Sequence, residues 1–212
     1  MKLRSAIAVT VVLITLLIIS GCLVKSGETG TSKDSTLKIN AKSNVFATGE
    51  GGLDANGGGL AAPSVTFEPR AGLVLTFSNV AGRVSCCGGG EEFNDADGGT
   101  FAGGVTDVES AGGISGISHP NKTMFLVGVF TDNNKAKPPG PARLNATDPT
   151  NSSPKLYQTF FIGTGKGKQI EVPPTATRLY LGFADAYNFT GAPGSYDDNE
   201  GELVATFSIR PR

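Results

Sequence analysis

The sequence predicts an all-β fold, a two-sheet jelly-roll sandwich, and three observations predict it. After Ile19 no segment of ten residues carries helical periodicity. The apolar residues fall instead in runs of strand length, such as Leu73–Val80 (LVLTFSNV), Met124–Phe130 (MFLVGVF) and Leu203–Ile209 (LVATFSI). Thirty glycines and twelve prolines break these runs apart, with long end loops and Greek-key-like spacing.

The elements follow in chain order. Lys2 and Arg4 precede an apolar stretch, Ala6–Ile19, that is short for a membrane span and has the shape of a signal sequence. Ile19-Ser20-Gly21-Cys22 then resembles a bacterial lipobox, which implies removal of 1–21 and a diacylglycerol on Cys22. The other readings are an uncleaved anchor, or ordinary secretion with an incidental cysteine. Leu23 follows the cysteine, with no Asp to resemble an inner-membrane retention signal, so an outer-membrane or cell-surface location in the envelope is expected. Residues 22–36 are polar and Gly/Ser/Thr-rich and read as a flexible tether. A single domain is expected over 37–212, long enough for a substantial core.

Within it the first strand is expected in Leu37–Thr48, followed by a Gly-rich loop, Gly51–Ala62. Strands are then expected at Val65–Phe67 and Leu73–Val80, with another ending at Val84–Cys87. Gly88–Ser118 is a long polar excursion of the kind that is functional or disordered. Met124–Phe130 is apolar on both strand faces and belongs in the core. After a Pro/Asn-rich connection come Leu156–Ile162, Lys168–Val172, Arg178–Ala184 and Leu203–Ile209.

Net charge is −1, and loss of Lys2 and Arg4 would leave 16 basic against 19 acidic residues, or −3. No basic stripe offers a footprint for nucleic acid.

The informative stretch is Asp185–Gly201, DAYNFTGAPGSYDDNEG, between two strands. Pro193-Gly194 reads as a turn, with proline at its second position and glycine taking the positive φ of a type II turn at its third. That turn would bring Asp198 and Asn199 back toward Asp185, gathering the oxygen donors that Ca²⁺ prefers. A solvated acidic turn has the same composition, and the spacing is not that of an EF-hand.

The segment resembles the calcium loop of PA-IL-type galactophilic bacterial lectins, in which an Asp precedes P-G-x-Y-x-[DN]-N-x-G. It is also similar to a domain of secreted PEP-CTERM proteins with the pattern QxFFIGxG…VPxxATRLxLGFxD…PGxYxDNxG. Here those residues run from Gln158 through Phe160-Phe161-Ile162-Gly163, Ala176-Thr177-Arg178-Leu179 and Asp185 to Pro193-Gly194, Tyr196, Asp198-Asn199 and Gly201. The likeness is strong over Tyr157–Ile209 and faint over Val45–Phe130. It implies a galactose-binding-like sandwich whose Ca²⁺ is held by Asp185, Asp198, Asn199 and the carbonyl of Ser195. A further carbonyl would come from Cys86 or Cys87. Two sugar hydroxyls would complete the sphere, with Asp185, Asp198, Cys86 and Asp97 on the carbohydrate side.

The chain departs from the lectins in having Asp198 where they have Asn, and in an insertion, Ala186–Ala192. Tyr187 or Phe189 in that insertion either stacks on a sugar or anchors the loop. Asn94, Asp95 and Asp97 either contact sugar or form a solvated turn. Tyr196 is expected to pack the loop base with its hydroxyl paired.

Adjacent Cys86 and Cys87 form either a vicinal disulfide or two thiols. His119, the only histidine, reads as a loop residue, and no G-x-S-x-G elbow is present. The expectation is a non-enzymatic surface lipoprotein, compatible with an oligomer, that binds Ca²⁺ and through it a galactose-like carbohydrate. The alternative is a calcium-stabilised interaction module without a sugar site.

Overall fold

A computed structural model describes residues 34–90, 92–147 and 151–212. Residues 1–33, on which the expected signal segment 1–21, Cys22 and nearly all of the expected tether 22–36 fall, lie outside them. The described chain is all-β. Its one α-helical turn is Gly52–Ala55, and five 3₁₀ turns accompany the strands. Among the described residues no helix is long and apolar enough to cross a membrane.

Two sheets carry the fold. The five-stranded sheet has the order Ser35–Asn40, Glu200–Pro211, Leu73–Ser85, Gln169–Glu171, Asn151–Ser152. Its first four strands pair antiparallel and the last pairs parallel. The four-stranded sheet is antiparallel, in the order Thr159–Phe161, Val127–Thr131, Arg178–Gly182, Ser64–Thr66. Ile39, Leu75, Ile170, Leu203 and Phe207 of the first sheet share one buried cluster with Phe130, Phe160, Leu179 and Leu181 of the second.

The second sheet is buried on both sides, as the unbroken MFLVGVF run predicts. Alternation sends Phe130, Leu179 and Leu181 to the shared cluster. Val127, Val129 and Phe161 go to a separate cluster with Val45, Phe46, Ile114 and Ile117. Gly128 has a specific job here: a Cβ would lie 2.5 Å from Phe160 Cζ, in the space that lets Phe160 stack on Phe130 at 5.1 Å.

Three differences from the expected elements have physical causes. The first strand begins at Ser35 rather than Leu37, because Thr36 pairs with Thr206 across the strands and Asp34 reaches Arg210 at 2.6 Å. The Gly88–Ser118 excursion is ordered by a third small sheet. There Thr106–Val108 pairs with Ile117–His119, which pairs in turn with Leu144–Asn145. His119 ends one of these strands instead of sitting in a loop. It is buried, its ring lies 5.4 Å from Phe125, and its Nδ1 accepts from the Asn121 N–H.

Candidate functional site

The segment 185–201 links the four-stranded sheet, which it leaves after Gly182, to the five-stranded sheet, which it enters at Glu200. At that entry Glu200 pairs with Ser85 and Gly201 with Val84. The pairing register alone therefore places Cys86-Cys87, the next residues of the 73–85 strand, beside Asp198-Asn199. Gly201 has φ +95, and a Cβ there would meet the Arg83 carbonyl at 2.3 Å, so this approach of two strands needs glycine.

Asp185, Ser195, Asp198, Cys86 and Cys87 line one cavity of about 250 Å³, together with Tyr187 and Phe189. Asp185 is only 2 % exposed. Its Oδ1 accepts from the Ala186 N–H at 2.7 Å, and its Oδ2 accepts from Asn199 Nδ2 at 2.7 Å. Burial pushes its carboxyl up to about 7. The two hydrogen bonds oppose that rise and the charge of Asp198 adds to it.

Asn199 is fully buried behind Asp185. Its Nδ2 also donates to the Ala41 carbonyl at 3.3 Å. With both acceptors on the nitrogen side, the amide orientation is fixed and Oδ1 is left buried without a hydrogen-bond partner. An orphaned buried oxygen costs about 1–3 kcal/mol, so a water or a cation is the partner that would satisfy it.

Tyr196 packs the loop base, fully buried. Its hydroxyl accepts from the Asp185 N–H at 3.1 Å and donates to the Phe183 carbonyl at 3.2 Å. Burial drives this phenol well above its ordinary range, with the Asp185 charge contributing, so it is a fixed, neutral strut.

The turn differs from expectation. Gly194 does not adopt positive φ; Ser195 does, at 63°. Gly194 N–H donates to the Asp185 carbonyl at 3.0 Å and Ala186 bridges Pro193. These contacts hold Pro193-Gly194 extended against the loop head and pass the left-handed step to the next residue. The Gly-rich 51–62 loop, which the sequence reading left without a role, supports this turn from beneath. A Cβ on Gly57 would lie 2.4 Å from the Pro193 carbonyl, and one on Gly59 2.5 Å from Tyr196 Cβ. The run GGLDANGGG was the available signal.

The insertion is anchored by Phe189, which is 2 % exposed and part of the shared core, while Tyr187 is 78 % exposed. Asp97 lies away from the cavity lining: its Oδ1 accepts from the Thr164 N–H at 2.7 Å and its Oδ2 from the Thr164 hydroxyl at 3.3 Å. Asn94 and Asp95 line a different cavity with Arg83 and Phe101.

Cys86 and Cys87 are joined by a disulfide. Native protein is expected to take up no alkylating reagent at either residue and to be labelled at both after reduction. Quantitative labelling without reductant would exclude the bond.

Among the described residues no three His, Cys, Asp or Glu side chains form a metal-binding group. Two carboxylate residues, Asp185 and Asp198, line the cavity and the Asn199 amide lies against the first, oxygen chemistry that fits Ca²⁺ better than Zn²⁺. The chain matches no protein-family model, no curated protein and no solved structure.

Proposed function

We propose that this protein is a calcium-dependent carbohydrate-binding protein with a lectin-like site at the 185–201 loop. The observation that carries the reading is the buried, unpartnered Oδ1 of Asn199, on an amide whose Nδ2 donates to the Asp185 carboxylate. A Ca²⁺ ion would be held by Asp185, Asp198, Asn199 Oδ1 and the Ser195 carbonyl, with a backbone oxygen of Cys86 or Cys87, both of which line the cavity, as a further ligand. The bound ion supplies a Lewis-acidic centre that takes two vicinal hydroxyls of a galactose-like sugar. Tyr187, exposed where Phe189 is anchored, is the aromatic residue available to meet the ligand. The facing pair of sheets is read as a galactose-binding-like jelly roll, supported by the shared core and by the likeness to PA-IL-type lectins.

A glycan array with and without chelator tests the function. Binding to a subset of glycans that disappears with chelator is expected. A calcium-induced rise in unfolding temperature with no glycan signal would favour the interaction module without a sugar site.

The proposal places the domain on the bacterial cell envelope through a lipid on Cys22. Several acyl chains hold a protein firmly, at about 0.8 kcal/mol per buried CH₂. Cys22→Ser is expected to yield unprocessed or soluble protein that leaves the detergent phase. Unchanged partitioning and mass would remove the lipid anchor from the proposal.

A further inference from the structure

The Cys86–Cys87 disulfide has no evident stabilising role. A cross-link stabilises a protein by closing a long chain loop in the unfolded state, and a bond between sequence neighbours closes none. What it does is shape a surface. Cys86 is 2 % exposed and held by the strand pairing at Ser85, while Cys87 is exposed with φ 66°. The eight-membered ring ties both side chains to the peptide between them, so the sulfurs form one rigid patch in place of two rotating thiols. Both cysteines line the same cavity as Asp185 and Asp198. Sulfur is large, polarizable and a weak hydrogen-bond acceptor.

A cavity with carboxylate oxygens and an apolar sulfur wall suits a ligand with a hydroxyl edge and a C–H face. A pyranose ring has both. At about 250 Å³ the cavity is smaller than the about 300–1,000 Å³ that encloses drug-sized ligands, so it suits one terminal ring.

We propose that the Cys86–Cys87 disulfide is a specificity-determining contact, the apolar wall for the C–H face of the pyranose whose hydroxyls meet the Asp185–Asp198 side of the cavity. This rests on the carbohydrate reading and gives the two joined side chains a role separate from the backbone oxygen that either residue would lend the ion.

The test compares oxidised wild-type protein with the Cys86→Ser/Cys87→Ser double variant. Methyl α-glycosides of galactose, mannose, fucose and glucose are titrated calorimetrically at saturating Ca²⁺. The calcium-induced rise in unfolding temperature is measured on the same samples. The variant is expected to bind the wild-type's preferred glycoside about tenfold more weakly, equivalent to about 1.4 kcal/mol, with the calcium rise intact. Reducing the wild type should produce the same loss, and reoxidation should restore binding; these two readings decide the matter if the variant does not fold. Equal affinity without the disulfide overturns the proposal. Loss of the calcium rise together with binding also overturns it, because the disulfide would then act through the metal shell. Wild-type protein that shows the calcium rise but binds none of the four glycosides overturns the carbohydrate reading itself, and the proposal with it.

Discussion

Ca²⁺ is expected to raise the unfolding temperature of the wild-type protein, and Asp185→Ala to abolish that rise and glycan binding with it. A ligand that binds only the folded state stabilises it by RT ln(1 + [L]/Kd), about 2.7 kcal/mol at a hundredfold excess over Kd. For a domain of this size that is a rise of about 5–10 °C, reversible with chelator. Mg²⁺ should give less, since it demands octahedral geometry and sheds water reluctantly. Asp185 is the residue to remove because it is a proposed ligand that also holds a second one: its carboxylate accepts from Asn199 Nδ2, and Asn199 Oδ1 has no hydrogen-bond partner. Asp197→Ala is the matched control, the same substitution one residue from Asp198. Its side chain is exposed, and its contribution to the loop is a backbone carbonyl that accepts from Lys42 Nζ at 2.6 Å, which alanine keeps. Most of the calcium response should survive there. A wild-type response in Asp185→Ala, or a larger loss in Asp197→Ala, would show that the ligand register is wrong. Baselines are taken in chelator, so any change in intrinsic stability from the lost Asn199 partner is separated from the calcium response.

What could be read from the sequence follows the reach of each physical signal. Long strands with alternating or unbroken apolar faces were legible, and Met124–Phe130 was correctly expected to be buried on both sides. The third small sheet was not, because strands of two or three residues such as Thr106–Val108 and Leu144–Asn145 are too short for periodicity to register. Their pairing depends on partners far away in the chain. In the site, the approach of Asp198 and Asn199 to Asp185 was legible from the loop, whereas Ser195 and the cysteine pair were suggested only by the likeness to the lectins; the cavity and the strand register bring them to the same place. The local turn chemistry was misread at Gly194. The rule that glycine takes positive φ was overridden by the hydrogen bond from Gly194 to the Asp185 carbonyl, and Ser195 turns left-handed instead. Asp97 looked like a candidate by position alone, whereas its carboxylate ties the 95–98 turn to Thr164.

In chelator, the stability of the folded domain is expected to carry a component that falls between about pH 4 and pH 7 and belongs to Asp185. Burial, the largest cause, raises its folded-state carboxyl to about 7, against about 3.9 in an unfolded chain. Below pH 4 both states hold the proton and the residue contributes nothing. Between pH 4 and pH 7 the unfolded chain ionises while the folded one keeps its proton, so unfolding releases a proton and rising pH favours it. Above pH 7 both states are ionised and the penalty is complete, on the order of 4 kcal/mol for a shift of about three units. Other carboxylates titrate over part of this range, so the measurement is a difference. Urea unfolding of wild type and Asp185→Asn is compared at half-unit pH intervals in chelator. Asparagine cannot ionise, and one of its amide hydrogens must face a former donor, so the variant has an offset in stability but lacks the slope. The wild-type-minus-variant difference should therefore decline from pH 4 to pH 7 and then level. Saturating Ca²⁺ should shrink the decline and lift the plateau above pH 7, where the ion would replace the missing proton, and the calcium response should grow with pH up to that point because binding must expel a proton. A difference curve that rises with pH in chelator would mean that Asp185 is stabilised as a carboxylate by the fold alone, and that the loop needs no cation to hold it.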